Sequence, residues 1–223
     1  MAQKPLKFIH ITKCAGTFIE DIGQKHNINW GRFHQEYGYW HDLFSKKSSS
    51  LKNKFDWFMV VRNPYDRIIS EYYCEWGGIG KKNITHSKEQ FNRFLIYKIK
   101  TRIPSGEHYS EQFKYLDDNI NINVIKFENL NKELDLLFKK YNIPIDISKY
   151  RKTNTKESKN NALKFTKEDF SAELIDLINE VYHNDFKEFN YEKISSGLLK
   201  IINPPFYDYE PVTITIPVDC GLF

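Results

Sequence analysis

Three times along the chain a short apolar run ends in a polar turn and is followed by apolar residues at helical spacing. No other feature constrains the fold as strongly. Leu6 to Ile11 stops at Thr12-Lys13-Cys14-Ala15-Gly16-Thr17, after which Phe18, Ile19 and Ile22 recur on one helical face. Phe55 to Val61 is broken by Asn63-Pro64, and Ile68, Ile69, Tyr72, Tyr73 and Trp76 then mark a second helix. Ile120 to Phe127 ends at Glu128-Asn129, and Leu134, Leu137, Phe138 and Tyr141 follow at i, i+3, i+4, i+7. Strands alternating with helices predict a three-layer α/β/α domain around a central, mainly parallel sheet, because parallel neighbours need crossover connections.

Further helices are expected over Gln90 to Lys100, over Glu107 to Asp118, where Tyr109, Gln112, Phe113 and Leu116 align, and from about Lys167 to Phe189. The Lys/Ser/Asn-rich stretches Ser45 to Lys54 and Thr153 to Asn161 read as mobile loops. The tail from Asn203, with Pro204, Pro205, Pro211 and Pro217, reads as extended, with an edge strand around Val212 to Ile216. With 223 residues, 40% hydrophobic and 16% aromatic, the chain suits one core. The expected division is a single domain over residues 1–202 and an extended tail, 203–223, packed on it or trailing from it.

The 33 basic residues set against 29 acidic ones give a mild formal charge of +4, spread along the sequence. That suits a small anionic ligand, whereas a nucleic-acid backbone calls for a clustered basic stripe. Cys14, Cys74 and Cys220 are widely spaced, with no C-x-x-C and no His/Cys metal pattern. Reduced thiols, no metal requirement and a cytoplasmic location are expected. The N-terminus lacks the apolar core of a signal peptide, and no segment approaches a membrane span.

In an open parallel sheet, ligands gather at the carboxyl ends of the strands, where helix N-termini favour anions. The first two polar turns belong there. In Lys13-Cys14-Ala15-Gly16-Thr17 small residues let backbone amides approach a phosphate, and lysine adds a mobile charge. A nucleoside-triphosphate loop reads G-x-x-x-x-G-K-[ST], whereas here the lysine precedes the glycine by three positions, against a magnesium–ATP enzyme. In the second turn, Arg62 offers a forked contact to a phosphate and Ser70, two helical turns on, a hydroxyl.

His10-Ile11-Thr12-Lys13-Cys14-Ala15-Gly16-Thr17 resembles the 5′-phosphosulfate loop of the membrane-type carbohydrate sulfotransferases, H-x-P-K-[TC]-[AG]-G-[TS], with Thr12 in place of proline. Arg62-Asn63-Pro64-Tyr65-Asp66-Arg67-Ile68-Ile69-Ser70-Glu71-Tyr72 resembles the same families' 3′-phosphate site, R-[ND]-P-x-x-R-x-x-S-x-Y. Val124 to Leu130 is similar to their third strand, and Tyr182 to Tyr191 to their closing Y-x-x-D-F-x-x-F-x-Y. The resemblance covers roughly residues 6–192.

It implies a P-loop NTPase-like sulfotransferase fold and transfer of a sulfuryl group from 3′-phosphoadenosine 5′-phosphosulfate (PAPS), leaving the 3′,5′-diphosphate (PAP), to a hydroxyl acceptor, a carbohydrate before others. Lys13, Cys14, Ala15, Gly16, Thr17 and Phe18 would hold the 5′ end and Arg62 and Ser70 the 3′-phosphate, with Lys13 neutralising the leaving group. Arg67 is read as structural, and Cys14 as a small loop residue rather than a nucleophile. The base would be a histidine, His41 first and His34 second, while His108 and Gln112, spaced for one helical face, are candidates to line the acceptor pocket. Aromatic residues from Trp30 to Trp40 are either core or a stacking surface. Two other readings stay open: an ATP-dependent small-molecule or nucleotide kinase, and a nucleotide- or glycan-binding module without catalysis.

Overall fold

A computed structural model describes residues 3–31, 41–80, 86–101, 108–150 and 165–197. The sheet is formed by β1 (Leu6–Ile9), β2 (Asp56–Val61) and β3 (Ile122–Lys126), all parallel and in the order β1-β2-β3. Register pairs Ile9 with Met59, and Val61 with Lys126. Every residue of β1 is buried, and all of the central β2 but Asp56, because both of their faces are covered; β3, at one edge, is partly open and leaves Val124 39% exposed.

The crossovers supply the layers. Helix α1 (Gly16–Lys25) follows β1, α2 (Ser49–Lys54) precedes β2, α3 (Pro64–Tyr72) and α4 (Lys88–Thr101) follow it, and α5 (Leu130–Lys140) follows β3. The chain continues into α6 (Ala172–Val181) and α7 (His183–Glu188). One apolar cluster joins the sheet to α1 and α5, where Trp30 stacks on Phe138 at 5.5 Å, and a second joins α3, α4, α6 and α7. This is the expected α/β arrangement, with helices on both sides of a parallel sheet.

Four local expectations are corrected. Glu107 to Asp118 is not a helix: among its described residues only a 3₁₀ turn, Gln112–Tyr115, forms, because the Asp185 carboxylate accepts from the Gln112 and Phe113 amides at 2.9 and 2.8 Å and fixes the segment from outside. Ser45 to Lys54 is not a loop throughout, since Ser48 caps α2 by accepting from the Leu51 amide at 3.2 Å. The helix expected to Phe189 breaks at Tyr182, whose buried hydroxyl donates to the Tyr109 carbonyl at 3.0 Å. Helix α3 stops at Tyr72, short of Trp76, which is 79% exposed; the chain folds back so closely that a Cβ on Gly78 would overlap the Tyr72 carbonyl. Thr153 to Asn161 and the tail 203–223 lie outside the described residues.

Candidate active site

Because β1 and β2 are parallel neighbours, the turns that leave them open at the same sheet edge. Lys13 and Ala15 adopt left-handed backbone, φ 60° and 62°, on either side of Cys14. This folds the turn tightly enough for Ala15 to be the N-cap of α1. The first intrahelical bond runs from the Ile19 amide to the Ala15 carbonyl at 3.1 Å, so the amides of Gly16, Thr17 and Phe18 are the donors of the first turn. The buried His10 ring lies against Gly16, where any Cβ would overlap the imidazole, and its Nδ1 faces Glu20 Oε1 at 3.9 Å. Glycine is therefore required here by close approach.

Cys14 does not face out of the loop. It is fully buried and its thiol donates to Gln112 Oε1 at 3.3 Å; burial pushes its pKa up to about 12 despite the nearby arginines, so it stays a neutral thiol.

The second turn is fixed from behind. Asn63 caps α3 by accepting from the Tyr65 amide at 3.0 Å, with Pro64 opening the helix. Gln112 is fully buried and exchanges hydrogen bonds with the Arg62 peptide, accepting from its amide and donating to its carbonyl, each at 2.8 Å. The Arg62 guanidinium lies 4.3 Å from the Phe127 ring centroid and donates from Nη1 to the Lys13 carbonyl at 3.3 Å, joining the two turns. Its Nε is buried with no hydrogen-bond partner among the described residues. Ser70 lies half-buried on α3.

Arg67, 1% exposed, donates to the carbonyls of Thr12, Ser110 and His108 and to Thr12 Oγ1, at 2.7 to 3.1 Å. It braces the lysine turn from beneath. Thr12, where the resembling motif has proline, uses its hydroxyl to donate to Glu71 Oε1 at 2.6 Å.

Three histidine rings surround this turn. His41 packs edge-on to His10 at 4.5 Å between centroids and lies 6.1 Å from His108. Its Nδ1 is 3.1 Å from the His10 carbonyl; a carbonyl only accepts, so Nδ1 carries the proton, and in the neutral ring Nε2 carries the lone pair. Tyr115 Oη donates to the His41 carbonyl at 3.1 Å, fixing the backbone. His108 instead directs Nδ1 at Glu71 Oε2, 2.8 Å away, and at Cys74 Sγ, 4.0 Å away. Burial works to lower its pKa, but the bonds to Cys74 and Glu71 and the Glu71 charge outweigh it and raise the group to about 9. His34 lies outside the described residues. Trp30 is core, at 1% exposure, and Tyr37, Tyr39 and Trp40 lie outside the described residues.

The structure thus brings Lys13, Gly16, Thr17, Phe18, Arg62, His41 and His108 to one edge and puts Cys14 and Gln112 behind it. The spacing of His108 and Gln112 does not act through a shared helical face. Three acids were missed as supports, Glu71 and Asp185 buried and Glu128 exposed. Asp185 holds Gln112, and Glu128 accepts from the Asn63 amide at 2.9 Å and from the Tyr191 hydroxyl at 2.8 Å. Glu71 joins Thr12 to His108. The signal available in the sequence was that Glu71, Glu128 and Asp185 each stand inside a quoted motif.

The model of the Sulfotransferase family matches residues 3–192. No curated protein and no solved structure matches the chain significantly. Among the described residues, no helix is long and apolar enough to cross a membrane.

Proposed function

Since the chain belongs to the sulfotransferase family, by a match over residues 3–192, we propose that it moves the sulfuryl group of PAPS to a hydroxyl, on a carbohydrate, with His41 as base. The observation that carries this reading is the junction of the two turns, Arg62 Nη1 to the Lys13 carbonyl at 3.3 Å. It sets a first-turn amide cradle and a guanidinium with an uncommitted Nε side by side, as a ligand anionic at both its 5′ and 3′ ends requires.

In this reading the Gly16, Thr17 and Phe18 amides and Lys13 hold the 5′-phosphosulfate, and Arg62 and Ser70 the 3′-phosphate. PAPS brings the activated sulfuryl group. Lys13 offsets the charge that grows on the oxygen linking phosphate to sulfur as the bond to sulfur breaks. His41 Nε2 takes the proton of the attacking hydroxyl; its Nδ1–H stays on the His10 carbonyl, so the lysine turn and the base are registered through a single residue.

Thermal denaturation with PAP in EDTA tests the reading. A rise in melting temperature with PAP and none with ATP is expected. Stabilisation only by magnesium–ATP would favour a kinase, and PAP binding without transfer to any glycan hydroxyl would favour a binding module.

A further inference from the structure

Beside the two turns, side chains from the end of α3 and from the turn at residue 108 converge on a point that no step above uses. Glu71 Oε2, Cys74 Sγ and His108 Nδ1 all lie within 4.8 Å of one another. Glu71 is fully buried, Cys74 is 7% exposed and the His108 side chain 12%. We propose that Glu71, Cys74 and His108 form a site for a borderline-soft divalent cation of the zinc class.

The geometry favours a metal cradle over a nucleophile. A Cys–His–carboxylate relay needs the thiol and the acid on opposite ring nitrogens. Here both converge on Nδ1, the acid at 2.8 Å and the sulfur at 4.0 Å. Tetrahedral zinc, at its usual bond lengths to nitrogen, oxygen and sulfur, spaces such donors by roughly 3.3 to 3.6 Å. The acid–imidazole and sulfur–imidazole separations would each need to change by about half an ångström to reach that spacing. One sulfur, one imidazole nitrogen and one carboxylate oxygen suit zinc or cobalt, and not the all-oxygen preference of magnesium and calcium. Three protein ligands leave a fourth position for an exogenous one.

The surroundings support the cradle. The Cys74 amide donates to the Glu71 carbonyl at 2.9 Å, a turn that sets both side chains on one side of the chain. Gly77 forms a wall: a Cβ there would stand 3.0 Å from both Glu71 Oε2 and His108 Nδ1, and the Tyr109 hydroxyl pins its carbonyl at 3.0 Å. The two Glu71 oxygens divide their work, Oε1 accepting from Thr12 and lying 4.0 Å from Arg67 Nη2, Oε2 turned to the cradle. A carboxylate oriented through its second oxygen is how an outer shell fixes a metal ligand.

The test is titration of the full chain, reduced, with cobalt(II). One equivalent is expected to give a thiolate-to-cobalt charge-transfer band and tetrahedral visible bands, both erased by zinc and neither by magnesium. Cys74→Ser should remove the charge-transfer band while circular dichroism stays folded, and Thr12→Val should weaken binding by roughly 10- to 100-fold. If Cys74→Ser does not fold, His108→Gln carries the same decision, with loss of the tetrahedral bands as the expected result. No thiolate band in the parent chain, or a band that survives these variants and disappears in Cys220→Ser, would overturn the proposal.

Discussion

Gln112 and Arg62 exchange a reciprocal pair of hydrogen bonds, side chain to peptide, at 2.8 Å each, so a residue some fifty positions downstream holds the peptide that carries the guanidinium. The same side chain accepts from Cys14 and donates to Asp185, tying both turns to α7. Replacing Gln112 with leucine keeps approximate volume and strands the Arg62 amide and carbonyl. A stability loss of about 1–3 kcal/mol is expected in urea denaturation, with weaker binding of PAP.

Gly16→Ala puts a methyl group into the His10 imidazole. Overpacking of this kind costs about 1–3 kcal/mol. The double variant with His10→Ala should recover part of that loss, and a thermodynamic cycle over the melting data measures the coupling.

Lys13→Ala and Arg62→Ala should separate turnover from binding. Loss of Lys13 is expected to lower kcat by roughly 10²–10³, the scale of one transition-state donor. Loss of Arg62 removes charge-assisted bonds worth about 1.5–3 kcal/mol each and should raise the Kd for PAP at least ten-fold. Unchanged kcat in Lys13→Ala would contradict its role at the leaving group.

His41→Ala should keep PAP binding and lose roughly 10²–10⁴ in transfer rate. If activity survives that change and His34→Ala abolishes it, the base is His34. Calorimetric titration of PAP on each variant separates a lost base from a disturbed donor site.

The three strand–turn–helix units were legible because periodicity is local: β1, β2 and β3 lie within the three apolar runs. The segment around Gln112 was not, because what fixes it is the Asp185 carboxylate, 72 residues from Phe113. Its aromatic spacing fits a helix, but its amides are already taken. Within the site, the lysine and arginine turns announce themselves by composition, whereas Glu71, Glu128 and Asp185 act by accepting from groups remote in sequence. Thr12 shows the limit most plainly: where the motif has proline, its hydroxyl donates to a buried acid, which no pyrrolidine ring can do.

Glu71 accepts from Thr12 on one oxygen and faces His108 with the other. A ligand that repositions the lysine turn must therefore alter what His108 meets, and anything bound at His108 must alter the turn. By thermodynamic reciprocity, each occupant changes the affinity of the other by the same factor. An anion at the lysine turn and the cation proposed at Glu71, Cys74 and His108 should therefore bind as coupled occupants of a single equilibrium, and the order in which they arrive follows from the rates alone.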